Sequence, residues 1–166
     1  MAKKSKTSVK LNPFKDRSPV LRRQSAGYMV VTLISFAASV SGTRLFLTLT
    51  GFPQLGSGGL HIAHVLWGGL FLFVAALLPV IFVNEWIFPL SALISGFGIG
   101  LFIDEVGKFV TANNDYFYPS AAPIIYVFFL IVVLFSFQIR RRRELTTRAR
   151  MYHILEEFSE VLDRDL

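Results

Sequence analysis

His61 and His64 open one long apolar run, and the adjacent Asp104 and Glu105 close another. On a helix, residues i and i+3 share a face, so the two imidazoles can hold one metal ion, or one can orient the other's partner. Asp104 or Glu105 would add an oxygen ligand or act as a general base. Two histidines, one carboxylate and an open position make a hydrolytic zinc arrangement. The pattern departs from His-Glu-x-x-His, because no carboxylate stands between these histidines to activate water. Adjacent Asp104 and Glu105 also project about 100° apart on a helix, so both need not enter one site.

The same residues support a second chemistry. Arg44 lies inside an apolar stretch of its own. A guanidinium stays charged, and a carboxylate is its natural partner. Arg44 with Asp104 or Glu105, hydrogen-bonded histidines, and Lys108 snorkelling outward would form a buried polar network with no reaction to perform. The metal reading takes His61, His64, Asp104 and Glu105 as ligands for a divalent ion such as zinc, with Glu105 or Asp104 as catalytic candidates. The network reading is preferred, and the metal-dependent membrane hydrolase or metal-binding protein is its alternative. Whether the chain is an enzyme is left open.

The elements that would carry these residues are membrane spans. Of the 166 residues 53% are hydrophobic, which by itself is close to a soluble average. The clustering is what decides. Only five charged residues, Arg44, Glu85, Asp104, Glu105 and Lys108, fall between Ala26 and Asn113. Long runs of this kind read as transmembrane helices. The spacing predicts spans over 26–50, 60–83, 86–111 and 120–138, giving an all-α membrane four-helix bundle over 26–138. Residues 1–25 read as a basic, disordered tail with two prolines. Residues 139–166 read as an amphipathic helix, with Leu145, Ala149, Tyr152, Leu155, Phe158 and Leu162 at three- and four-residue steps. No cysteine is present, so disulfides and thiolate chemistry are excluded.

The net charge of +6 flanks the apolar runs. It therefore serves as a topology signal and as a contact for anionic lipid headgroups at both termini, not as a nucleic-acid surface. Lysine and arginine at both ends place both termini in the cytoplasm, which four spans allow. The opposite charges of the two halves of the C-terminal helix would also suit a homodimer paired through 145–162.

Depth then brings the polar residues to one level. Arg44 stands about 24 Å along its span from Tyr28, and Asp104 about 27 Å along its own from Trp86. The histidines sit at the corresponding end of the second span. In a hydrocarbon core of about 30 Å, three helices thus deliver their unusual side chains to the outer leaflet. Small residues lead up to them, including Gly96-x-x-x-Gly100, a spacing that lets membrane helices approach closely.

The pairing of His-x-x-His-x-x-Trp-Gly with Gly-x-Gly-x-Gly-Leu-Phe-Ile-Asp-Glu-Val-Gly-Lys resembles small bacterial multi-pass membrane proteins without an assigned activity. The resemblance covers the second and third spans, under half the chain. It implies a bacterial inner membrane and supplies no catalytic residue.

Overall fold

The computed structural model describes residues 19–51, 64–106, 110, 118–141 and 146–165, and every element among them is helical. The helices are α1 Ser25–Thr50, α2 His64–Ile81, α3 Ile87–Asp104, α4 Ala121–Arg141 and α5 Thr147–Asp165. The first four are long and apolar enough to cross a membrane. His61, Lys108, the basic residues before 19 and the Gly-rich loop after Gly51 lie outside the described residues.

Helix α1 stops at Gly51, whose φ of 70° puts it in the left-handed region and whose N–H caps the Leu47 carbonyl. Glycine takes that conformation without the Cβ penalty of other residues. Between α2 and α3 the chain reverses over a few residues. Ile87 N–H bonds Asn84 O and Phe88 N–H bonds Glu85 O, each at 3.2 Å. Pro89 falls in the first turn of α3, where an N–H has no helical acceptor in any case.

Helix α3 is central. Its partners on α1 keep a nearly constant separation in sequence: Thr32 Oγ1 donates to Ala92 O (3.2 Å), Ser35 Oγ to Leu93 O (2.6 Å) and Ser39 Oγ to Phe97 O (2.9 Å). A constant offset means that α1 and α3 run parallel. Against α2 the order is reversed. Ser91 Oγ donates to Ala75 O at 2.8 Å, while Gly98 meets Gly68 further along. Helix α4 also runs opposite to α1, with Phe128 and Phe129 on Phe36. The start of α1, the α2–α3 turn and the end of α4 therefore share one end of the bundle.

Glycine makes these approaches feasible on both sides of α3. Gly96 and Gly100, four residues apart, face α1. Gly98, two residues from each, is turned about 200° away and faces α2. A Cβ at Gly100 would lie 2.5 Å from Ser39 Cβ, and one at Gly98 would lie 2.9 Å from Gly68 O. The helices thus pack backbone to backbone, with hydroxyls from α1 on the carbonyls of α3. Ser39, Asp104, Glu105 and Ser136 are buried, whereas Leu49, Val80 and Leu134 are among many large apolar side chains pointing outward. That inversion suits a lipid surround, where no hydrophobic drive pulls leucine inward and small residues form the seams.

Helix α5 is fastened across the end where α1 begins. Arg22 Nη1 lies 3.0 Å from Glu85 Oε2 and 3.4 Å from Glu156 Oε1. Arg23 pairs with Glu157 and Glu160. Asp163 accepts from Asn84 Nδ2 at 2.7 Å and from the Glu85 N–H at 2.6 Å. The polar face of α5 is thus turned towards the bundle. Ile154 and Phe158, each 63% exposed, are left uncovered. Glu156, Glu157, Glu160 and Asp163 are each engaged within their own chain.

Candidate functional site

At the opposite end of the bundle, α3 finishes on two buried carboxylates. Asp104 is 1% and Glu105 0% exposed. Neighbouring helical residues diverge by about 100°, and here that divergence sends the two groups to different helices. Asp104 turns to α1, where Arg44 Nε donates to Oδ1 at 2.7 Å. Glu105 turns to α2, where its Oε2 accepts the Val65 N–H at 2.8 Å.

The second contact follows from helix physics. The first N–H groups of a helix have no internal acceptor, and the aligned peptide dipoles make that end positive. A carboxylate there satisfies a donor and meets a favourable potential. Glu105 therefore acts as a cap near the start of the described part of α2, reaching from a neighbouring helix. Asp104 meanwhile neutralises Arg44, the lone charge of α1. Together the two carboxylates tie α1 and α2 to the end of α3.

His64 sits beside this cap. Its Nδ1 is buried and has no hydrogen-bond partner among the described residues. Among the described residues no group of three or more His, Cys, Asp or Glu side chains is placed to hold a metal ion. Of the six residues singled out in the sequence, the structure pairs Arg44 with Asp104 and places Glu105 on the residue following His64. His61 and Lys108 lie outside the described residues.

Two features were not legible beforehand. The acceptor role of Glu105 has a backbone amide as its donor, which leaves no mark in a sequence. Arg22, Arg23 and Glu85 form the fastening at the other end, where Asn84-Glu85 reads only as a turn. The signal for it was present in the acidic face of α5 and the two arginines preceding α1.

Comparison with protein-family models, with curated proteins and with solved structures finds no match.

Proposed function

We propose that the chain is a multi-pass integral membrane protein, and that its Arg44–Asp104–Glu105 cluster is a structural clamp in the outer leaflet of a bacterial inner membrane. The observation that carries this reading is the commitment of both carboxylates, Asp104 to a guanidinium and Glu105 to the start of α2. A permanently charged arginine 2.7 Å from Asp104 repels a cation from the position that a metal would need. A buried carboxylate or an unpaired charge within a membrane span is costly, so pairing is the less costly arrangement. The role that follows is to hold three spans in register for interaction with lipid or a partner. The termini, with their lysines and arginines, face the cytoplasm and anionic headgroups.

One observation favours the alternative of a metal-binding protein or metal-dependent hydrolase. It is the buried Nδ1 of His64, without a partner among the described residues, which with His61 and a carboxylate would offer a ligand set. Elemental analysis of the purified protein in detergent separates the two. The clamp predicts less than stoichiometric zinc, unchanged in a His61→Ala/His64→Ala variant. One equivalent of metal that disappears in this variant would establish the alternative.

Membrane placement has its own test. The chain contains no cysteine, so introduced thiols report without background. Cysteine at Ser57 or Asn114 is expected to react with an impermeant maleimide on intact cells, and cysteine at Ser5 only after lysis. Labelling at Ser5 in intact cells would reverse the orientation.

A further inference from the structure

A groove of about 350 Å³ runs between α1 and α4, with Phe36 and Phe129 at one end and Arg44 at the other. Ala37 and Ser41 on α1 and Ala122 on α4 leave it hollow, and Ile125 lines its wall. The Phe36 and Phe129 rings, 5.6 Å apart, close the inner end. Most of its surface is apolar, its polar lining residues are Ser41, Tyr126 and Arg44, and the one charge is the guanidinium at its mouth.

Arg44 gives only Nε to Asp104, and its two terminal nitrogens have no acceptor among the described residues. Its side chain is 40% exposed, whereas that of Asp104 is 1% exposed. The surface therefore presents the cation and conceals the anion. Guanidinium N–H groups left without acceptors call for oxygen, and phosphate or carboxylate oxygens match their geometry.

Depth narrows the ligand. On the reading of α1 as a membrane span, on which this inference rests, Arg44 stands about 28 Å from Ser25 along the helix. That is the level at which a hydrocarbon core of about 30 Å gives way to headgroups. The groove continues from there towards the midplane for eight residues, about 12 Å. Its polar end is thus at headgroup level and its apolar end in the chain region.

We infer that this groove is a binding site for an anionic phospholipid, with one acyl chain between α1 and α4 and the headgroup phosphate on the free edge of Arg44. A soluble anion would satisfy the guanidinium and leave the groove unused. A neutral hydrocarbon would do the reverse. An anionic lipid uses both, and it supplies the cover that α4 lacks, since α4 meets little of the bundle besides α1.

Native mass spectrometry of the full-length protein in a neutral detergent micelle tests this, with three probes: dioleoyl phosphatidylglycerol, dioleoyl phosphatidylcholine and inorganic phosphate. The site predicts phosphatidylglycerol adducts at about tenfold lower concentration than phosphatidylcholine adducts, the ratio expected from one charge-assisted contact. Arg44→Gln should remove that preference. Ala37→Trp fills the groove without touching the ion pair, and should weaken adducts of both lipids while the protein still melts cooperatively. Equal binding of the two lipids by the unaltered protein overturns the inference. So does a lipid preference that survives Arg44→Gln, indifference to Ala37→Trp, or displacement of phosphatidylglycerol by millimolar phosphate. A lowered melting temperature in Arg44→Gln bears on the clamp alone. Ala37→Trp keeps the clamp, so the lipid site and the clamp can fail separately.

Discussion

Alanine at Gly96, Gly98 or Gly100 is expected to destabilise the bundle by about 1–3 kcal/mol each, and leucine by more. Ordinarily alanine favours a helix over glycine. Here the added Cβ has nowhere to go. At Gly96 it would overlap Thr32 O and lie 2.8 Å from Ser35 Cβ, and at Gly100 it would lie 2.5 Å from Ser39 Cβ. At Gly98 the obstacles are Gly68 O at 2.9 Å and Leu72 N at 3.1 Å. Most of these are backbone or Cβ atoms, which cannot rotate aside, so whole helices must separate. Separation also lengthens the Thr32, Ser35 and Ser39 hydrogen bonds to α3. Gly42 and Gly69 are the controls, because a Cβ there meets nothing within 4 Å. Alanine at those two positions should change stability by no more than about 0.5 kcal/mol. Thermal melts in one detergent compare all five variants. If Gly100→Ala melts with the controls, the close packing of α3 on α1 is wrong.

Glu105 should show a graded response. Glu105→Ala is expected to cost about 1–3 kcal/mol, because the Val65 N–H is left without its acceptor in a site closed to solvent. Glu105→Gln keeps an oxygen acceptor of the same reach and loses only the charge, so it should recover more than half of that loss. A general base or metal ligand would behave differently, with glutamine failing as completely as alanine in any function assay. Hydrogen exchange offers a local readout. The first amides of α2 should lose protection in Glu105→Ala and keep most of it in Glu105→Gln. Equal effects of the two substitutions would remove the cap from the account.

What the sequence discloses of the fold and the site is uneven, and the reasons are physical. Apolar runs interrupted by single charges mark four long helices, because burying a charge in lipid is costly enough to leave a sparse pattern. The four-residue steps from Ala92 through Gly96 and Gly100 to Asp104 mark one face of α3, and in the structure that face meets α1. Rise per residue was sufficient to set Arg44 and Asp104 at one depth. The other face of α3 was harder to see. Gly98 meets Gly68 across two helices, and no local period links residues thirty apart. Asp104 and Glu105 were both candidate ligands, and their 100° divergence on a helix already implied that they need not share a site. Helical geometry separates them, and each serves a different neighbour. The partners of the α5 carboxylates were equally hidden. They are Arg22, Arg23 and the α2–α3 turn, more than seventy residues away, and only the folded chain brings them together.

The clamp is tested most directly by a double-mutant cycle on Arg44 and Asp104, measured as unfolding free energies of Arg44→Gln, Asp104→Asn and the double variant in one detergent. Arg44 is 40% exposed, and solvent and headgroups screen it. The coupling expected is therefore that of a partly exposed ion pair, roughly 1 kcal/mol. The account predicts that the double variant is less destabilised than the sum of the single variants by about that amount. Additivity within about 0.3 kcal/mol, the behaviour of independent sites, would contradict it.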